Sequence, residues 1–161
     1  MGSIEVFDDI FNDIENQKLF NTLINGGYKY GERDNPEDLP TGMVMELTDE
    51  TLVSFLVEKI YSCKPDLRKN KPDQAYVNLF IPNENPNFHT DGKTTTCLFY
   101  VMPTELPLKE GGETQFYADN TITGILPKPK RLVVFDGMIL HKATSFRSYP
   151  RYTIAIKFSA Y

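Results

Sequence analysis

The chain has no tryptophan, two cysteines and two histidines, and each scarcity narrows what it can be. Cys63 and Cys97 are too few for a disulfide scaffold and do not form a close ligand pair, so they read as unremarkable or buried thiols. No apolar run approaches the roughly 18 residues that a membrane-spanning helix needs, and no membrane partner is expected. Met1-Gly2-Ser3-Ile4-Glu5 lacks the basic segment, apolar segment and cleavage site of a secretory signal, which points to a cytoplasmic location. A formal net charge of −5 gives little general attraction to phosphate backbones. Lys64, Arg68, Lys69 and Lys71 form a local basic cluster, but a solvated loop explains it, so nucleic acid is a disfavoured partner.

What the chain does have is a 40% hydrophobic composition with eleven phenylalanines and nine tyrosines, which excludes a disordered polymer. Its 161 residues fit one domain, 1–161, with a helical support over about 1–72 and a strand-rich core over about 73–161. In 8–24, Ile10, Phe11, Ile14, Leu19, Phe20, Leu23 and Ile24 recur mostly at three- and four-residue steps, the period of a helix packed on one face. Gly26-Gly27 then stops it. A second helix is expected over 48–63, with Thr48 as its cap and Leu52, Phe55, Leu56, Lys59 and Ile60 on one face. Between them, 28–40 is polar and turn-rich, an ordinary connection or a lid, with short strands at 28–30 and 43–47. Strands are expected over 75–81, 94–102, 114–118, 131–135, 139–146 and 151–158, punctuated by Asn83-Glu84-Asn85-Pro86, Gly111-Gly112, Asp136-Gly137 and Ser148-Tyr149-Pro150. The fold class is therefore mostly β with flanking helices, a sandwich or barrel supported on one side.

Both histidines fall where a metal would need them. In Phe88-His89-Thr90-Asp91-Gly92, residues i and i+2 of an extended segment point to one side, so His89 and Asp91 can reach the same ion. His141, fifty residues after Asp91, must close on them from a distant strand. Two imidazoles and one carboxylate leave three coordination positions open, the geometry of oxygen-using non-haem Fe(II). Catalytic zinc accepts the same ligand types, and ligand identity alone does not separate the two. Ten residues after His141 comes Arg151, at the start of an alternating strand, where its planar fork could take a carboxylate with two charge-assisted bonds.

These residues, with Thr96-Cys97-Leu98-Phe99-Tyr100, Gly111-Gly112-Glu113-Thr114, Pro129-Lys130-Arg131-Leu132-Val133-Val134-Phe135 and Arg151-Tyr152-Thr153, give the chain its likeness. It resembles the Fe(II)- and 2-oxoglutarate-dependent dioxygenases, and within them the prolyl 4-hydroxylase-like branch, over about 75–158. The resemblance implies a double-stranded β-helix, or jelly roll. It implies iron held by His89, Asp91 and His141, with 2-oxoglutarate and O2 as cosubstrates and ascorbate as a stimulant. Arg151 would pair with the far carboxylate of 2-oxoglutarate, and Tyr100 matches a family tyrosine that contacts the same group. Thr153 shares a strand face with Arg151 and could add a hydroxyl, although β-propensity accounts for it nearly as well. Tyr100 reads equally as a core aromatic, and Tyr76 and Asn78 could line the same pocket from the preceding strand. Relatives that modify collagen use lysine for the far carboxylate, and nucleic-acid demethylases carry a second arginine where this chain has Lys157. The implied activity is hydroxylation of an unactivated C–H bond, with a peptidyl proline as the favoured substrate. A free amino acid, another small metabolite or a modified base remains open, as does a jelly roll that binds metal without catalysis. Oligomeric state is not legible.

Overall fold

The computed structural model describes residues 3–31, 33, 36–104 and 111–159. Period-two alternation dominates it. On strand β5 (Thr94–Val101), Cys97, Phe99 and Val101 enter one apolar cluster while Leu98 and Tyr100 enter another. Strand β8 (Leu132–Asp136) splits likewise, with Leu132 and Val134 on one side and Val133 and Phe135 on the other. Strands buried on both faces must sit between two layers, and they do.

The larger sheet has seven strands in the order β1-β8-β5-β10-β4-β3-β2, all neighbours antiparallel. The remaining members are β1 (Ile4–Phe7), β2 (Lys29–Tyr30), β3 (Met43–Glu46), β4 (Pro72–Phe80) and β10 (Arg151–Ser159). A three-stranded sheet, β7-β6-β9, faces it, built from β6 (Thr114–Ala118), β7 (Thr121–Ile125) and β9 (Leu140–Ala143). A single antiparallel bridge between His89 and His141 adds the metal-loop segment beside β9. The result is a jelly roll.

Helices α1 (Asp13–Ile24) and α2 (Glu50–Cys63) cover the outer face of the large sheet. Asn12 and Glu15 form a reciprocal capping box on α1, and the Asp49 carboxylate accepts from the N–H groups of Thr51 and Leu52 to start α2. Leu23, Leu56 and Ile60 are fully buried against Phe99, Ile154 and Ile156. Each such side chain contributes about 1.5–3 kcal/mol of transfer free energy.

Several expectations need correction. The first helix begins at Asp13 rather than near residue 8, because Asp9 takes a left-handed conformation (φ 57°) and the Ile10 N–H donates to Lys130 O. Ile14 and Ile24 lie on its exposed side. Asp49, not Thr48, caps α2, since it supplies the oxygen at the right offset. The front of the chain also contributes β1 to the large sheet, and β7 was not foreseen. The segment 28–40 lies partly outside the described residues. No helix among the described residues is long and apolar enough to cross a membrane.

Candidate metal and anion site

The inner face of the large sheet and the metal loop converge on one cavity of about 60 Å³, whose lining includes Tyr76, Asn78, His89, Asp91, His141, Arg151 and Thr153. Backbone hydrogen bonds set the loop. His89 N–H donates to His141 O and His141 N–H to His89 O, each at 2.9 Å, while Asp91 N–H donates to Gly137 O at 2.8 Å. This pairing brings the imidazole centroids to 4.5 Å. A Cβ on Gly137 would lie 2.9 Å from Gly92 O and 3.0 Å from Asp91 Cβ, so the loop closes on that turn because the side chain is missing.

His141 Nδ1 is 2.7 Å from Ile139 O and His89 Nδ1 is 3.3 Å from Asn87 O. A carbonyl can only accept, so these contacts assign the proton to Nδ1 and leave each Nε2 lone pair turned toward Asp91. Nε2 of His89 is 3.7 Å from Asp91 Oδ1, and Nε2 of His141 is 3.5 Å from Oδ2. The three ligand atoms lie within 4.8 Å of one another. Thr96 donates its hydroxyl to Asp91 Oδ2 at 2.6 Å and Lys157 its ammonium to Oδ1 at 2.8 Å. Burial opposes ionisation of Asp91, but His141, when its ring also carries a proton on Nε2, and the Lys157 ammonium outweigh it and hold the carboxyl well below the usual range.

At the other end of the cavity stands Arg151, 2% exposed. Its Nε donates to Gly112 O at 2.8 Å, and its terminal nitrogens to Thr114 Oγ1 at 3.0 Å and Thr153 Oγ1 at 3.3 Å. Gly112, at φ +79° and pressed on the Phe146 ring, presents that carbonyl. Among the described residues no carboxylate lies within ion-pair distance of the guanidinium. Burial pushes its pKa down, partly offset by Tyr100 and Glu113, but a guanidinium does not lose its proton in a protein. A buried cation whose hydrogen-bond partners are all neutral is costly even with Glu113 nearby, and an anionic ligand is a natural compensation.

Thr153, Asn78 and Tyr76 line the cavity as the strand alternation requires, and the Asn78 Oδ1 is buried with no hydrogen-bond partner. Tyr100 does not line it. Its hydroxyl bonds Thr114 Oγ1 and Ile125 O and accepts the Thr114 N–H, while the Arg151 guanidinium sits 5.3 Å from its ring centroid. Tyr100 thus stands behind Thr114, which lines the cavity wall. Thr96, Thr114 and Lys157 went unassigned in sequence reasoning. Both threonines fall inside stretches that carry the resemblance, but nothing in those stretches singles out their hydroxyls, whereas Lys157 shares a face with Arg151 and Thr153, a signal that i, i+2 counting along β10 could have found.

Neither a protein-family model nor a curated protein matches the sequence. Solved structures do match in fold. A prolyl hydroxylase from Trichoplax adhaerens, in complex with a hypoxia inducible factor oxygen degradation domain peptide fragment, superposes with TM-score 0.76 at 15% identity, over 97% of this chain and 83% of that one. A Pseudomonas putida prolyl-4-hydroxylase gives TM-score 0.75 at 11% identity, over 100% and 94%. HygX from Streptomyces hygroscopicus, with nickel, 2-oxoglutarate and hygromycin B bound, gives 0.73 at 8% identity, over 97% and 82%. The fold is thus the one shared by prolyl hydroxylases and 2-oxoglutarate–Fe(II) oxygenases.

Proposed function

We propose that the protein is an Fe(II)- and 2-oxoglutarate-dependent dioxygenase that hydroxylates an unactivated C–H bond, with a peptidyl proline as its substrate. One observation carries this reading: among the described residues, a buried arginine with no carboxylate within ion-pair distance shares a cavity with a two-histidine, one-aspartate cluster whose ligand atoms lie within 4.8 Å of one another. The donor set fits a divalent cation that keeps open positions, and a guanidinium held by neutral hydrogen-bond partners fits a dicarboxylate.

In this reading His89, Asp91 and His141 hold the metal, and Arg151 with Thr153 and Thr114 binds the far carboxylate of 2-oxoglutarate. Asn78 sits between the two ends, where its amide can orient the cosubstrate. Leu98, Phe135 and Ala155 supply apolar wall, which keeps water out and strengthens every polar contact inside. Bound iron and cosubstrate supply the oxidising chemistry, activation of O2 coupled to decarboxylation of 2-oxoglutarate to succinate. The chain's own share is to bind, orient and dry the site.

A groove of about 700 Å³ adjoins the metal loop, lined by Val44, Leu47, Tyr76, Thr90 and Lys157 among others. Its size and open side suit a peptide, the kind of ligand present in the Trichoplax complex. Its polar walls, including Glu46, Asp73 and Gln74, also support a second reading with a small polar molecule, as in HygX. Succinate formation from 2-oxoglutarate should require Fe(II) and disappear in Asp91→Ala; turnover unchanged in that variant would refute the assignment. Product mass analysis across proline peptides, amino acids, small polar metabolites and oligonucleotides separates the substrate readings.

A further inference from the structure

Strand β10 carries a second cation on its inner face. Lys157 lies two residues beyond Ala155, at the groove end of the row that starts with Arg151 and Thr153. Its ammonium is 2.8 Å from Asp91 Oδ1, with the two side chains only 14% and 5% exposed, and 5.2 Å from the Tyr76 ring centroid. The second carboxylate oxygen of Asp91 is taken by Thr96 on β5.

An aspartate side chain turns about two torsions, and the second of these is soft. One donor on each oxygen, anchored on two different strands, fixes both. Three metal ligands would be complete without a lysine, so the cluster alone does not account for Lys157. Net stability does not account for it either, because a buried ion pair is on average no better than apolar side chains of the same volume. Orientation of a ligand does, since partners of metal-bound side chains commonly tune affinity by about 10–100-fold.

We infer that Lys157 is a positioning residue of the metal site: with Thr96 it locks the Asp91 carboxylate in the one orientation that faces Nε2 of His89 and Nε2 of His141. The inference rests on the metal-site reading above. It also commits the lysine ammonium to the protein, so that it is not a free charge for substrate in the groove.

The test needs no turnover. Metal-free wild type, Lys157→Met, Lys157→Gln and Lys157→Arg are titrated with Mn(II), followed by calorimetry and by the Mn(II) electron paramagnetic resonance signal, with thermal melts of the metal-free proteins alongside. Lys157→Met should bind Mn(II) about 10–100-fold more weakly, and Lys157→Arg should recover most of that loss. A Lys157→Met protein that melts lower yet binds Mn(II) like wild type would show an ion pair of structural value only and overturn the inference. If that variant does not fold, weakened binding by Lys157→Gln with near-normal binding by Lys157→Arg supports it, and equal binding by both overturns it. Wild type that takes up no Mn(II) would instead sink the metal-site reading, and this inference with it.

Discussion

Replacing Arg151 with glutamine should separate binding of the cosubstrate from binding of the metal. The guanidinium is 2% exposed and spends its bonds on Gly112, Thr114 and Thr153, none of which neutralises it. Its hydrogen-bonded partners leave it able to form an ion pair with an anionic ligand. Truncating one partner of a buried, hydrogen-bonded charge pair costs about 2–5 kcal/mol, which at about 1.4 kcal/mol per decade is roughly 30- to 4,000-fold in Kd. About 100-fold is the expectation, because glutamine retains one polar contact to the Thr114 or Thr153 hydroxyl. Calorimetric titration of the Mn(II)-loaded protein with 2-oxoglutarate measures it. A 2-oxo acid lacking the far carboxylate completes a double-mutant cycle: wild type should discriminate against it by a similar factor, and Arg151→Gln should bind both acids alike. Mn(II) affinity should stay unchanged. A variant whose 2-oxoglutarate Kd stays within about threefold of wild type, or which still discriminates between the two acids, would refute the anion-clamp argument.

Two other perturbations probe the scaffold. Gly137→Val inserts a side chain where Thr94 Oγ1, Gly92 O and Asp91 Cβ already sit closer than van der Waals contact to a Cβ; it should cost about 1–3 kcal/mol and weaken Mn(II) binding together, measurable by chemical denaturation and calorimetry. Asp8 accepts a two-pronged bond from Arg131, with Lys128 beside it, and its carboxyl falls from an ordinary 3.8 to about 2. A depressed acid stabilises the fold above its unfolded pKa and loses that contribution as pH drops through the folded value. Asp8→Asn should therefore be less stable than wild type at pH 7 by about 1 kcal/mol, after allowing for solvent screening of a carboxylate 34% exposed. The gap should close as pH falls from about 4 to about 2, and a gap that persists at pH 2 would contradict the ion-pair account.

The site was easier to read than the scaffold around it. His89, Asp91 and His141 are legible because metal chemistry admits few residue types, and Arg151 because a strand periodicity fixes its face. The alternation that separates Cys97, Phe99 and Val101 from Leu98 and Tyr100 likewise announces a sheet covered on both sides. Strand β7 escaped because Thr121-Ile122-Thr123-Gly124-Ile125 is an edge strand largely exposed on both faces, which leaves no alternation to detect. The clue lay in the turn before it: Asp119 and Asn120 both adopt positive φ, 50° and 57°, the conformation of a two-residue hairpin. Helix α1 was drawn too long because Ile10 and Phe11 fit its period, although Phe11 is buried from the chain leading into the helix. The resemblance singles out Tyr100, while its place behind Thr114 depends on a cross-sheet bond that no sequence pattern shows.

Arg151 and Lys157 stand six residues apart on a single inner strand hydrogen-bonded on both sides, a span of about 20 Å at the rise of a β-strand. The backbone thus acts as a rigid gauge between the two ends of the site, and no loop can lengthen or shorten it. One residue inserted between Thr153 and Lys157 would leave the arginine in place and turn the lysine toward the helices. The register of β10 is for that reason under tighter constraint than its mostly apolar composition suggests.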